Sequence, residues 1–197
     1  MDHLTDAELK QIVDQVVSSV MAEMPSRQAG RARQDLIPAA QPAASDGGRI
    51  VALGADHGGY ELKESLKETI QQLGYRIEDC GTHSTESVDY PDFARAVAER
   101  VASGQAWRGM VIDGAGIGSC MAANKVPGVR AAMCYDHATA YNSREHNNAN
   151  VLSLGAGLLG QKLCEQIVET FLETEFAGGR HARRVNKIMG IENDDDH

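Results

Sequence analysis

The chain has 197 residues, 42% of them hydrophobic and 24% charged, with a formal net charge of −9 at neutral pH. That length suits one domain plus an extension, and that apolar share is enough to bury a core; the negative balance argues against nucleic acid or an anionic membrane as the main partner. No apolar run reaches the roughly 20 residues that span a bilayer, and the polar start MDHLTDAELKQ does not read as a secretory signal.

The first element is a helix over residues 1–24. Leu9, Ile12, Val13, Val16, Val17, Val20, Met21 and Met24 recur at three-to-four-residue spacing and form one apolar stripe. Thr5 and Glu8 read as a capping box, Leu4 and Leu9 as a hydrophobic staple, and Pro25 as the stop. Residues 25–48 are rich in Ala, Gln, Ser, Pro and Gly and poor in large apolar side chains, which predicts a flexible linker. An isolated short helix is marginal in water. One on a tether is expected to dock, either on its own domain or a sister subunit, or as a targeting peptide in a partner's groove.

The main domain is expected over residues 49–197. RIVALGAD reads as a buried strand and YELKESLKETIQQLG as an amphipathic helix closed by Gly74. YRIEDCG is a second strand, and PDFARAVAERVASG a helix with Pro91 in its first turn. RGMVIDG, VRAAMCYD and NVLSLGA supply strands three to five, with helical segments between them and GQKLCEQIVETFLETEF after the last. The alternation predicts an α/β fold, a three-layer α/β/α Rossmann-like sandwich around a five-stranded parallel sheet.

In such a sheet a ligand sits beyond the carboxyl ends of the strands. Asp56 and His57, residues 113–119, Asp136 and His137, and residues 155–157 lie there. The stretch DGAGIGS, from Asp113, lacks the G-x-G-x-x-G spacing of a dinucleotide loop and has no Walker lysine. Two readings remain: backbone N–H groups that hold a phosphate or an oxyanion, or glycines needed only for a tight turn. His57 and His146 are candidate acid–base groups. The histidines show no metal-ligand spacing, so no metal is expected. Cys80, Cys120, Cys134 and Cys164 form no C-x-x-C pair and suit reduced thiols in a cytoplasmic compartment. Arg180, Arg183 and Arg184, with His181, read as an anion clamp or as a solvated helix face.

GADHGGYELK, DYPDFA, GAGIGSCMAANKVPGVRAAMC, SREHNNANVLSLG and GGRHARRV occur in the order and spacing of the ribose-5-phosphate isomerase B family, which also holds the galactose-6-phosphate isomerase subunits. The resemblance spans Arg49 to about Glu192. It implies aldose–ketose isomerisation of a phosphorylated sugar without a cofactor, in a homodimer or tetramer whose active sites are shared between subunits. It further implies that His146 opens the sugar ring with Asp56 close by, and that His57, Arg180 and Arg184 bind phosphate, the arginines coming from the partner subunit. Tyr90 and Asn147 would line the sugar, and the loop of Gly114, Gly116, Gly118 and Ser119 would supply enediolate donors.

The chain departs from that pattern in three places. The usual cysteine base is replaced by Asp113 and the alternative glutamate by Ser119; Ala115 stands where a small hydroxyl residue is common; and Gly157 replaces a phosphate-binding arginine. Asp113 is therefore the expected base, with Ser119 hydrogen-bonded beside it, and the rival reading is a catalytically silent member retained for binding or assembly. The helix and linker at the N-terminus resemble the encapsulation peptides of bacterial microcompartment cargo, which implies shell proteins as partners of residues 1–24.

Overall fold

The computed structural model describes residues 48–193. The expected helix and nearly all of the expected linker lie outside these residues. Five strands are present: β1 (Ile50–Ala55), β2 (Arg76–Asp79), β3 (Arg108–Asp113), β4 (Ala131–Met133) and β5 (Val151–Gly155). The helices are α1 (Tyr60–Gln72), α2 (Tyr90–Ala102), α3 (Ile117–Ala123), α4 (His137–Glu145), α5 (Gln161–Glu173) and α6 (Arg180–Gly190), with a short 3₁₀ turn at Ile191–Asn193.

All strand pairs are parallel, in the order β2-β1-β3-β5-β4. β1, β3 and β5 are central and buried on both faces, so they read as almost unbroken apolar runs. Alternate residues feed two cores. Val51, Leu53 and Ala55 of β1 pack with Leu66 and Ile70 of α1, Ala140 of α4 and Ile167 and Phe171 of α5. Ala52 points the other way, into a cluster with Val97 and Val101 of α2 and Ala123 of α3. The expected three-layer α/β/α sandwich with a five-stranded parallel sheet is thus the observed one.

Edge strand β4 is shorter than its apolar pattern suggested, three residues rather than eight. Its open side is met by a side chain: Asn124 Nδ2 donates to Ala131 O (2.9 Å) and Asn124 Oδ1 accepts from Ala131 N (2.8 Å), which closes one peptide's worth of edge. Helix α6 holds the cluster of Arg180, Arg183 and Arg184. It carries a narrow apolar stripe with Val185 buried, and basic residues cover the rest of its surface. No helix among the described residues is long and apolar enough to cross a membrane.

The strand order reverses between β1 and β3: the chain leaves β1 for β2 on one side, then returns to β3 on the other. At such a switch point the loops after the two strands diverge and leave a crevice. Asp56 follows β1 and Asp113 ends β3, and the two strands are in register at Ala55 and Ile112. The main-chain N–H of Asp56 donates to Ile112 O (3.2 Å) and fixes the two acids as neighbours at the crevice floor.

Candidate active site

The two carboxylates are bound very differently. Asp113 is 5% exposed. Its Oδ1 accepts the N–H of Ala115 (2.8 Å) and of Gly116, and its Oδ2 accepts the N–H of Ser119 (2.8 Å). The Ser119 hydroxyl also donates to it. Burial alone would raise the pKa, but these four donors outweigh it and hold the group below its usual value. A carboxylate offers about four lone-pair sites, and here all are used. Asp113 cross-ties its own loop, and four donors on its carboxylate weigh against the expectation that it is the base. The same bonds hold Ser119, 2% exposed, beside Asp113 as expected, with both its donors on that carboxylate, and they turn the Gly116 N–H inward to Asp113.

Gly116 has a positive φ of 78°, and a Cβ there would stand 2.9 Å from Gly155 N and from the Leu154 carbonyl carbon. Only glycine lets the loop curl back onto β5 at this point. Gly118 is needed for a different reason. A Cβ would fall 2.6 Å from the Tyr90 ring, so the ring lies directly on the bare backbone of the loop. Tyr90 is thereby held at the crevice, where it was expected to line the sugar.

Three N–H groups of the loop remain. Gly114, Ile117 and Gly118 donate to no acceptor among the described residues. Gly114 is exposed and its missing Cβ would meet nothing within 4 Å.

Asp56 stands beside them. Its Oδ1 accepts the Gly59 N–H (2.9 Å), while Oδ2 accepts no hydrogen bond from the described residues. No fully buried side-chain oxygen or nitrogen of the described residues lacks a partner, so Oδ2 opens to the crevice. A carbon at the position of Gly58's absent Cβ would lie 3.4 Å from Asp56 Oδ1 and 3.5 Å from Gly114 N. One carboxylate and the first free donor of the loop are therefore within reach of a single atom. His57 Nδ1 lies 3.2 Å from both N and O of Val88, which pins the ring and leaves Nε2 without a partner among the described residues.

The remaining predicted residues lie elsewhere on the same chain. α4 starts at the carboxyl edge of the sheet, where Asp136 caps it by accepting the Thr139 N–H (2.7 Å), and runs back. His146 and Asn147 follow its last turn, close to Asn150, whose carbonyl accepts the Gly109 N–H at the start of β3. Gly109 and Asp113 are separated by about 13 Å of strand. The structure thus brings Asp56, His57, Tyr90, Gly114 and Gly118 together at one edge, and gathers His146, Asn147, Arg180 and Arg184 at the other.

This second group has its own order. The His146 and His181 rings stack with centroids 4.2 Å apart and planes 5° from parallel. His146 Nε2 pairs with Glu145 Oε2 (2.9 Å), and its Nδ1 lies 2.8 Å from Asn142 Nδ2. Arg180 and Arg184 are exposed and pair with no carboxylate among the described residues. An exposed pair of guanidiniums one helical turn apart, neither in an ion pair among the described residues, is suited to an anion. A groove of about 520 Å³ opens beside Asn147, lined also by Ala131, Ala132, Asn142 and Ile188.

Two buried arginines that sequence reasoning did not single out fix this edge. Arg144 donates through Nε to Thr174 O (3.2 Å), and through Nη1 to Asn148 Oδ1 (3.1 Å) and to Ala149 O. Arg108 donates to Phe171 O, Leu172 O (2.8 Å) and Thr174 O (3.2 Å). Burial lowers the pKa of both, and the carbonyls at the end of α5 offset part of the cost of burying two charges. Ala177 N donates to Glu145 O (3.0 Å), so the last turn of α4, just before His146, is tied to the segment leading to α6 at two points. Arg144 lies two residues from His146, and nothing in its spacing distinguishes a buried tie from another surface cation.

Comparison with known proteins accords with this geometry. Residues 51–188 match the family model described as Ribose/Galactose Isomerase. Ribose-5-phosphate isomerase B of Clostridium thermocellum is 53% identical, with a TM-score of 0.72 over 73% of this chain and 97% of that one. Ribose-5-phosphate isomerase B of Escherichia coli is 41% identical over 72% of this chain and 95% of its own length. The D-erythrulose-4-phosphate isomerase of Pectobacterium atrosepticum is 39% identical over 75% of this chain and 97% of its own. The chain belongs to the Ribose/Galactose Isomerase family and is by class an aldose–ketose isomerase.

Proposed function

We propose that the protein interconverts a four- or five-carbon aldose phosphate and its ketose through a cis-enediolate, in a site completed by a second copy of the chain. The observation that carries this is the pairing of a free Asp56 Oδ2 with the unclaimed N–H groups of Gly114, Ile117 and Gly118 at the switch point. Asp56 takes the proton from C2 of the open aldose. The carbonyl oxygen on C1 becomes an oxyanion held by the N–H groups. The O2 proton then passes to O1, Asp56 returns its proton to C1, and C2 becomes the carbonyl. Asp113 keeps its charge throughout and holds the donors in place.

His146 gives its proton to the ring oxygen of a cyclic substrate as the C1–O bond breaks, while the C1 hydroxyl loses its proton to water and becomes the carbonyl. Arg180, Arg184 and His57 hold the phosphate. His146 and the arginines cannot serve the Asp56 edge of their own subunit across the depth of the sheet, so they serve a partner's. Support comes from apolar surface left bare near the loop: Met121 is 64% exposed and Tyr135 56%. The relatives' names span five-carbon and four-carbon substrates, and both belong on the test panel. In D₂O the protein is expected to convert ribose 5-phosphate or erythrose 4-phosphate with solvent deuterium appearing at the carbon that receives the proton. Absence of turnover on both would favour the silent-member reading.

Residues 1–24 serve as a shell-binding peptide and the protein as microcompartment cargo in the cytoplasm. The apolar stripe that the spacing from Leu9 to Met24 predicts supports this. Fused to a fluorescent protein, the segment should carry it into shells; diffuse fluorescence in cells that make shells would contradict it.

A further inference from the structure

We propose that His181 is a positioning residue that keeps the His146 imidazole flat and oriented for ring opening, so that it matters only for sugar phosphates that cyclise. The inference rests on the isomerase reading and assigns a role to a side chain that reading does not use.

The geometry is specific. The two rings lie face to face at 4.2 Å and 5°, and they come from different elements, His146 from the end of α4 and His181 from the first turn of α6. Arg180 Nε donates to His181 Nε2 at 3.4 Å, which makes that nitrogen an acceptor and the ring neutral. Two imidazoles this close would repel if both were charged. Of the groups facing His181, His146, Arg180 and Arg184 oppose its protonation and Glu145, which pairs with His146 Nε2, favours it. Loss of hydration and these cations hold His181 below the usual histidine value. His181 is thus an uncharged, flat platform against the His146 ring.

Ring opening supplies a readout that general stability does not move. Ribose 5-phosphate has a free hydroxyl on C4 and closes a five-membered ring, which must be opened. Erythrose 4-phosphate carries its phosphate on that oxygen, cannot close the same ring, and needs no acid there. His181→Ala removes the platform and His181→Phe keeps a flat ring without a titrating group. The expected result for His181→Ala is a loss of at least about tenfold in kcat/KM on ribose 5-phosphate, worth ~1.4 kcal/mol of transition-state stabilisation, with erythrose 4-phosphate held within about twofold. His181→Phe should stay within about threefold of the parent on both sugars. Equal losses on both sugars in either variant, or no loss in His181→Ala, would overturn the proposal while the isomerase reading stands. A parent that converts erythrose 4-phosphate alone would overturn it too, because no ring is then opened. If the parent converts neither sugar, the isomerase reading falls and this one with it.

Discussion

The two edges of the sheet are built by different means. At the carboxyl edge, side chains are ordered by backbone: Asp113 takes three main-chain N–H groups, Asp56 takes one, His57 leans on Val88, and the Tyr90 ring lies on Gly118. At the opposite edge, side chains are ordered by side chains and by long-range ties: His146 stacks on His181, and Arg144 reaches Thr174 thirty residues away. The first kind of order is local and travels with a short motif. The second depends on how helices dock, and it leaves Arg180 and Arg184 exposed and without a carboxylate partner among the described residues.

Within the carboxyl edge the contrast between the acids gives the largest expected effect. Asp56→Asn keeps the shape and removes the base, so kcat should fall at least about a hundredfold, with KM and melting temperature near the parent's. A variant that retains full kcat would return the proton transfer to another group and erase the distinction between the two carboxylates.

Asp113→Asn should act on the fold instead. An amide cannot accept from four donors, and its own NH₂ would face the N–H of Ser119 or of Ala115 and Gly116. Leaving one or two of these unsatisfied costs about 1–3 kcal/mol each. The effect carries a pH signature. The pKa of Asp113 is depressed in the folded state, so its stabilisation is present above the unfolded value of about 3.9 and is lost as pH falls through the folded one. The gap in melting temperature between parent and variant should therefore be wide at pH 7 and narrow toward pH 3. A gap that does not change with pH would mean that the carboxylate's charge contributes nothing to the loop.

Much of the fold was legible because the strands are buried on both faces and the helices carry clean apolar stripes. Five strands and their order along the chain follow from that pattern, and so does the position of the glycine loop at a strand end. Strand order in space does not, since the reversal between β1 and β3 is set by long-range pairing. β4 was over-extended because an edge strand can be apolar without being paired. The site was legible as a set of residues and not as an arrangement. DGAGIGS announced backbone donors, but whether Asp113 faced the ligand or its own loop depended on which way three N–H groups pointed. The stack of His146 on His181 had no signal in spacing, since 35 positions separate them.

The claim that one site needs both edges, contributed by two subunits, is tested most directly by complementation. Asp56→Asn disables the carboxyl edge, and His146→Asn the opposite one. Each variant alone should be nearly inactive on ribose 5-phosphate. Mixed, dissociated and reassembled, half of the dimers should contain one of each chain, and in those one site pairs an intact Asp56 with an intact His146. Roughly a quarter of the parent's activity should return. If light scattering and a mass tag show mixed dimers and no activity returns, the two edges do not meet across the subunit boundary.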